Sequence, residues 1–282
     1  MAPLAPHRET DPPASPAAPG RTGFSLCKWY MDAVGPDGHA AIAYWAAVRW
    51  GPLAFTYSGL LETSPSAPVR STSTARRCAP PEFVDGLLTW SSPRLGVCAR
   101  WESAAPPYRS TLLSGPQGAV DWACLLPRAR ARLSTPSGTI QGWGYAERLT
   151  LTMRPWRLPI DELSWGRFLN DDASIVWIRW RGPEPRMLVL RDGRELAEPQ
   201  IQDGGIIWPG GRLTLSPGRT LRHGALGSTV LASHSLLRAM TPRTMRALRE
   251  HKSLSRAELT LADRRPSSGW AIHEIVDFRS PP

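Results

Sequence analysis

Turn signals recur along most of the chain and separate short stretches in which apolar and polar residues alternate. They are GPDG at 35–38, SGPQG at 114–118, PSG at 136–138, NDD at 170–172, RDGR at 191–194 and WPGG at 208–211. Alternation with a period of two is typical of strands, because successive side chains of a strand point to opposite faces of the sheet. The chain has 29 Pro and 24 Gly residues to form tight turns. The pattern predicts an antiparallel all-β fold of barrels or sandwiches.

Changes in composition divide the chain into three parts. Residues 1–20 are rich in Pro and Ala and predict a disordered tail. A break in composition near Thr135–Gly138 predicts the boundary between two β domains, at 21–138 and 139–282. Each domain then has a length that suits one β-barrel or sandwich.

One helix is expected among the strands, near the C-terminus. Thr241 is a good N-cap, and Pro242 suits the first helical position. Met245 and Leu248 follow at a helical spacing. We therefore expect the helix to continue to about residue 251.

The chain carries a formal net charge of +10, and 32 of its 34 basic residues are arginine. The arginines are spread along the chain, whereas nucleic-acid-binding proteins usually cluster basic residues on one face. We therefore expect no nucleic-acid partner. The arginines are expected to form a solvated surface, and the alternative is peripheral contact with an anionic membrane surface. The longest apolar run, Ala40–Val48, is much shorter than the ~20 residues of a membrane-spanning helix.

Several kinds of active site lack their sequence signatures here. The four Cys residues show no CxxC spacing and the six His residues are scattered, so no metal site is predicted. The chain also has no GxSxG elbow, no Walker A loop and no complete dinucleotide fingerprint, and we expect no cofactor. Prolines interrupt the N-terminal apolar residues, unlike a secretory signal, which predicts a cytoplasmic protein with reduced thiols.

The strand predicted at 141–152 places a carboxyl group on its apolar face. The residues on that face are Trp143, Tyr145, Glu147, Leu149 and Leu151. Burial disfavours the ionised form of a carboxyl group and raises its pKa, so Glu147 is a candidate general acid. The alternative, which periodicity alone favours, is a structural role in which an arginine neutralises a buried Glu147. A cavity beside this face would favour the acid.

Other strands offer candidates for a binding cavity. The 13 Trp residues exceed the number that most cores of this size use, which favours an aromatic-lined cavity. Glu274 lies on the apolar face of the strand at 269–278. The strand at 173–181 is apolar on both faces, so Trp177 and Trp180 are expected in the core.

The first strand presents two different faces. Lys28, Tyr30 and Asp32 share one face, which could line a cavity or meet water, and water is slightly favoured. Trp29 lies on the opposite face. The residues predicted to bind a substrate, from this strand and the others, are Trp143, Trp165, Tyr30, Trp29 and Glu274.

Three segments resemble one family, and a fourth resembles its wider superfamily. The run VDWACLLPRARARLSTPSGTIQGWGYAERL at 120–149 resembles the central motif of the carotenoid 1,2-hydratases, also called hydroxyneurosporene synthases. That family has an H-x-W element, a proline-containing strand and a G-x-GY-x-D element. LSWGRF at 163–168 and GWAIHEIVDF at 269–278 are similar to its W-x-W-x-R segment and its closing strand, and CKWYMDAV at 27–34 is similar to the aromatic first strand of the wider lipocalin-like superfamily.

The resemblance implies a fold and candidate catalytic residues. The family belongs to a lipocalin-like superfamily that includes tocopherol cyclases and fungal pericyclases, which implies two lipocalin-like antiparallel β units. Its catalytic Tyr-x-Asp corresponds to Tyr145 and Glu147, and its Trp corresponds to Trp122. Two positions depart from the family. The acid is Glu instead of Asp, and the family His is replaced by Val120, which has no group that transfers a proton.

Three functions remain open from the sequence. The first is a cofactor-free hydro-lyase or cyclase, in which Glu147 protonates an isoprenoid double bond inside an aromatic-lined apolar cavity. The second is a carrier that binds an apolar lipid in the same cavity without changing it. The third is an interaction protein that uses its arginines at a membrane surface.

Overall fold

The computed structural model describes residues 23–229 and 241–279. The tail predicted at 1–20 lies outside the described residues. Within them, twenty strands form two antiparallel sheets of ten strands each. This confirms the predicted all-β fold of two lipocalin-like units with one short helix near the C-terminus.

The first sheet is formed by the N-terminal half of the chain and the second by the C-terminal half. The first contains β1 (Phe24–Val34), β2 (Ala40–Trp50), β3 (Leu53–Ser64), β4 (Ala67–Thr74), β5 (Glu82–Val84), β6 (Leu87–Ser92), β7 (Val97–Ser103), β8 (Tyr108–Gly115), β9 (Gly118–Thr135) and β10 (Gly138–Leu151). The second contains β11 (Glu162–Leu169), β12 (Ser174–Arg181), β13 (Arg186–Arg191), β14 (Arg194–Glu195), β15 (Gln200–Gln202), β16 (Gly205–Trp208), β17 (Gly211–Leu215), β18 (Arg219–Ala225), β19 (Arg249–Leu261) and β20 (Ser267–Asp277).

The second sheet repeats the strand order of the first. The first has the order β4-β3-β2-β1-β10-β9-β7-β6-β5, with β8 also paired to β9. The second has the order β14-β13-β12-β11-β20-β19-β17-β16-β15, with β18 also paired to β19. Every strand of the first sheet therefore has an equivalent strand in the second. In both sheets, the first and last strands of the unit pair with each other near the middle.

The chain passes from one sheet to the other after β10. Thr135 and Gly138 face each other across the turn of the β9–β10 hairpin, and β10 also pairs with β1. The composition break at Thr135–Gly138 is therefore a hairpin turn inside the first sheet. The connection between the sheets is 152–161, which includes a 3₁₀ helix at Pro155–Arg157.

The predicted helix is present but shorter than expected. Helix α1 (Arg243–Ala247) has Pro242 at its N-cap, and Leu248 follows it. Strand β19 begins at Arg249, where the prediction continued the helix to about residue 251. Pairing of residues 249–251 with β18 and β20 outweighs their helical spacing, because tertiary contacts override local propensity. No helix among the described residues has the length and apolar character needed to cross a membrane.

Among the described residues, three clusters of buried apolar side chains form the core. One contains Trp29, Leu88 and Trp101, which come from distant strands of the first sheet, so that sheet curls around it. A second lies within the second sheet. The third contains Tyr145 of the first sheet and Trp165 of the second, so the two sheets pack against each other. We call this third cluster the interface core.

A fully buried ion pair also joins the two sheets. Arg167 of β11 donates from Nη2 to Oδ1 of Asp32 at 2.7 Å and from Nε to Oδ2 at 3.0 Å. Both side chains have 0% exposure. Arg167 Nη1 donates to the carbonyl oxygen of Trp270 at 2.9 Å. Asp32 and Arg167 each stand two residues before the last residue of β1 and β11, so they occupy equivalent positions of the two units.

Gly144 allows close packing beside this ion pair. A Cβ atom at Gly144 would lie 2.5 Å from the carbonyl oxygen of Asp32 and 2.6 Å from Cδ1 of Trp101. We expect Gly144→Ala to lower the free energy of unfolding by about 1–3 kcal/mol, the usual cost of overpacking. Urea unfolding measures this, with Gly115→Ala as the control, because a Cβ atom there meets nothing within 4 Å. Equal unfolding free energies for the two variants would contradict the prediction.

Candidate active site

A cavity of about 400 Å³ lies between the two sheets, beside the interface core. Its volume falls within the ~300–1,000 Å³ range of small-molecule sites. Most of its lining is apolar and comes from both sheets, including Leu26, Leu149, Ile178 and Trp180. A groove of about 1010 Å³ on the first unit is lined mostly by exposed residues and contains none of the predicted site residues. The smaller cavity is therefore the candidate active site.

The carboxyl group of Glu147 faces this cavity and accepts three hydrogen bonds on one oxygen. Oε2 receives the Tyr145 hydroxyl at 2.6 Å, the Trp122 indole N–H at 2.6 Å and the Trp165 indole N–H at 3.1 Å. Within the described residues, no hydrogen bond reaches Oε1. One oxygen is thus held in place, while the other is available to carry a proton.

Three neighbouring strands bring these groups together. Tyr145 and Glu147 lie two residues apart on β10, so they share a face. Trp122 comes from β9, where it stands opposite Leu149 of β10. The pairing of β9 with β10 is irregular beside Glu147, and such bulges re-aim side chains. Trp165 comes from β11, so the site is complete only when the two sheets are packed together.

The pKa shifts of Glu147 and Tyr145 suit a general acid and its hydrogen-bond donor. Burial raises the pKa of Glu147 above its ordinary value, and this effect outweighs the hydrogen bonds and the charge of Lys28, which lower it. Burial also raises the pKa of Tyr145 well above its ordinary value, so its hydroxyl remains a donor. Among the described residues, no ion pair includes Glu147. Arginine neutralisation of Glu147, the structural alternative, is therefore not seen there.

Glu274 faces the same cavity, but its pKa is shifted in the opposite direction from that of Glu147. Its carboxylate forms an ion pair with the ammonium of Lys252, which is 2% exposed. Burial is the largest single effect and raises the pKa of Glu274, but the charges of Lys252, Lys28 and Arg222 and the hydrogen bond from Lys252 together outweigh it, so the pKa is lowered overall. The cavity therefore contains one carboxyl group with a raised pKa and one with a lowered pKa, and such a divergence is typical of acid–base sites.

The two carboxyl groups occupy equivalent positions of the two units. Glu147 stands opposite Tyr30 of β1, and Glu274 stands opposite Trp165 of β11. Tyr30 and Trp165 each lie two residues before the ion-pair residue of their strand. The Lys252 ammonium lies 5.4 Å from the ring centroid of Tyr30 and 5.6 Å from that of Trp165. Aromatic faces at such distances attract a cation.

The structure places the other predicted binding residues in three environments. Tyr30 is buried behind the cavity wall and packs against Trp165, with ring centroids 4.7 Å apart. Trp29 is 1% exposed in the core of the first sheet, because it points to the opposite face of β1 from Tyr30. Trp143 shares the face of Glu147 but lies four residues earlier on β10, outside the cavity, where its indole N–H donates to Asp171 at 2.8 Å. The structure thus separates Trp29 and Trp143 from the cavity.

The slightly favoured expectation that Lys28, Tyr30 and Asp32 face water was wrong. Packing of the second sheet covers this face of β1, so Lys28 lines the cavity and Asp32 is fully buried. Trp180 is buried as predicted, but it also lines the cavity. Lys252 is not identified as a site residue from the sequence, because the predicted helix extends to about residue 251, directly before it. Alternation of Glu250, Lys252 and Leu254 is the signal that identifies this strand.

No protein-family model and no curated protein sequence matches this chain. Several solved structures do match it. CghA, solved with Sch210972, has a TM-score of 0.54 and 10% sequence identity, over 96% of this chain and 94% of that chain. The two chains share a fold. An AttH-type protein from Nitrosomonas europaea has a TM-score of 0.53 and 10% identity, over 97% of this chain and 99% of that one. Kievitone hydratase from Nectria haematococca has a TM-score of 0.44 and 10% identity, over 96% and 97%.

Proposed function

We propose that the protein is a cofactor-free enzyme that hydrates or cyclises an isoprenoid by protonating one of its double bonds. The geometry of Glu147 is the observation that carries this proposal. Its carboxyl group faces an apolar cavity, has a raised pKa, and is oriented by donors from β9, β10 and β11. Such a group is a positioned general acid.

The first step transfers the proton of Glu147 to the less substituted carbon of the double bond. The π electrons form the new C–H bond, which leaves a tertiary carbocation and a Glu147 carboxylate. The three hydrogen bonds to Oε2 stabilise the carboxylate as it forms, because hydrogen bonds to a charged group are stronger than those to a neutral one. Trp122 and Trp165 line the cavity, and their rings attract the carbocation.

The second step determines the product. In hydration, water attacks the carbocation, and the extra proton of the bound water returns to Glu147, so the product is substrate plus one water. In cyclisation, a second double bond attacks the carbocation and a proton is lost to Glu147, so the product is an isomer. Glu147 is protonated again after either course.

More specifically, we propose that the reaction is of the carotenoid 1,2-hydratase type. The Tyr-x-Asp resemblance supports it, since Tyr145 and Glu147 stand at those positions and are hydrogen-bonded to each other. Val120 stands at the family His and contributes only an apolar side chain to the cavity. We therefore assign the proton transfer to Glu147 without a histidine partner.

Product analysis tests the proposal. The protein is incubated with a panel of acyclic polyprenes in detergent, and apolar extracts are examined by mass spectrometry beside Glu147→Gln. We expect a product heavier by one water, or an isomer with changed retention, that is missing with Glu147→Gln. Glu258→Gln, which changes an exposed carboxyl group on β19, is expected to behave like the unchanged protein. Unaltered polyprene that co-purifies with all three proteins would contradict the proposal and favour a lipid carrier.

A further inference from the structure

The cavity lining includes a cation, Lys28, that forms no ion pair with any residue that the structure describes. Lys28 lies on β1 and lines the cavity, with its ammonium 5.8 Å from the ring centroid of Tyr44. The other cations of the lining are engaged: Lys252 by Glu274 and Arg222 by Glu250. Within the described residues, Lys28 forms neither an ion pair nor a hydrogen bond.

The side chains opposite Lys28 on the neighbouring strands provide no hydrogen-bond acceptor. It stands opposite Leu149 on β10 and Ala46 on β2, and neither side chain accepts a hydrogen bond. Its charge acts on Glu147 and Glu274, lowering the pKa of both. Glu274, however, already forms an ion pair with Lys252, and the hydrogen bonds to Glu147 come from neutral donors.

A hydrocarbon ligand would leave the Lys28 ammonium desolvated and without an ion pair. Filling the cavity with apolar groups removes water from Lys28, and a desolvated charge is costly unless it is paired. A ligand with an anionic oxygen would instead replace that water with a charge-assisted hydrogen bond. Among the described residues, the lining thus combines apolar walls that suit a hydrocarbon body with one cation, Lys28, that has neither an ion pair nor a hydrogen bond and can receive an acidic group.

We propose that Lys28 binds an acidic oxygen of the substrate, a carboxylate or an enolate, on an otherwise apolar isoprenoid. This inference rests on the proposed function for its reaction, and it specifies the substrate class of that site. Lys28 and Glu147 lie on the same face of adjacent strands, two residues out of direct register. The acidic oxygen and the reacting double bond are then held at the same end of the cavity.

A matched pair of fluorescent probes tests the proposal by binding alone. cis-Parinaric acid and its methyl ester share one apolar chain and differ in the carboxylate. At a pH where the acid is ionised, we expect it to bind about tenfold more tightly than the ester, the effect of one charge-assisted hydrogen bond. Lys28→Met is expected to abolish this preference by weakening acid binding while leaving ester binding unchanged. Lys28→Arg is expected to retain it.

Controls separate this site from general charge effects. Arg212→Met, which removes an exposed cation on β17, is expected to keep the preference for the acid. Lys28→Gln provides a second neutral variant, and thermal unfolding shows that the variants are folded. Equal binding of acid and ester by the unchanged protein, or a preference that survives in both Lys28→Met and Lys28→Gln, would overturn the proposal. Glu147→Gln is expected to keep the preference, so loss of turnover there and failure of the Lys28 site are separate results.

Discussion

Arg167→Met is expected to lower the free energy of unfolding by about 3–5 kcal/mol, the cost of breaking a buried ion pair by removing one partner. The variant leaves Asp32 fully buried without its guanidinium, and it removes the donor to the carbonyl oxygen of Trp270. Desolvation of the unpaired carboxylate is the main cause of the loss. Chemical denaturation followed by tryptophan fluorescence measures it.

Two further variants test whether burial of an unpaired charge causes this loss of stability. The double variant Asp32→Leu with Arg167→Met is expected to recover most of the loss, because apolar replacements for both partners leave no buried charge. Arg100→Met, which breaks the exposed ion pair between Arg100 and Glu102, is expected to cost about 0–1 kcal/mol. A loss of similar size in Arg100→Met and Arg167→Met would contradict the role of burial.

Turnover is expected to depend on the protonated form of Glu147. Glu147→Gln is expected to lower kcat by about 10²–10⁴-fold, the contribution of a positioned general acid. In the unchanged protein, kcat is expected to fall as the pH rises through the pKa of Glu147, which burial raises above the ordinary carboxyl value. The residual activity of Glu147→Gln is expected to lack this decline. A pH profile that is the same for both proteins would exclude Glu147 as the acid.

Tyr145 provides an independent check on the same pH profile. Its hydroxyl donates to Glu147 and stabilises the ionised carboxyl group, so it lowers the pKa of Glu147. Tyr145→Phe removes that donor, and the decline of kcat is therefore expected at higher pH. The maximum kcat is expected to fall as well, because the acid is oriented by fewer groups. If Tyr145 only filled space, the midpoint of the decline would not move.

Local alternation was enough to predict the centre of the site. Trp143, Tyr145, Glu147 and the residues that follow alternate along a strand, so sequence alone places Tyr145 and Glu147 on one face. The resemblance to the carotenoid 1,2-hydratases added Trp122, which lies on the neighbouring strand and does hydrogen-bond to Glu147. Trp165 was also predicted, and it reaches Glu147 from the second sheet.

Contacts between the sheets could not be predicted in this way. Alternation shows that two residues share a face but not what covers that face, so Asp32 was expected in water and is buried against Arg167. The same limitation applies along a strand. Trp143 is on the same face as Glu147 but lies too near the start of β10 to reach the cavity. Lys252 was hidden by a helical spacing at 241–251 that the sheet overrides.

The equivalent positions of Asp32 and Arg167 determine which units can associate. The two residues occupy the same place in two units of the same topology, and they touch each other. Since these equivalent residues touch, they lie on the axis that relates the two units, and residues on the axis of a symmetric homodimer meet their own copies. Two aspartates or two arginines would then be buried together, which like-charge repulsion and desolvation both oppose. The pair therefore makes each half complementary to the other half and not to itself.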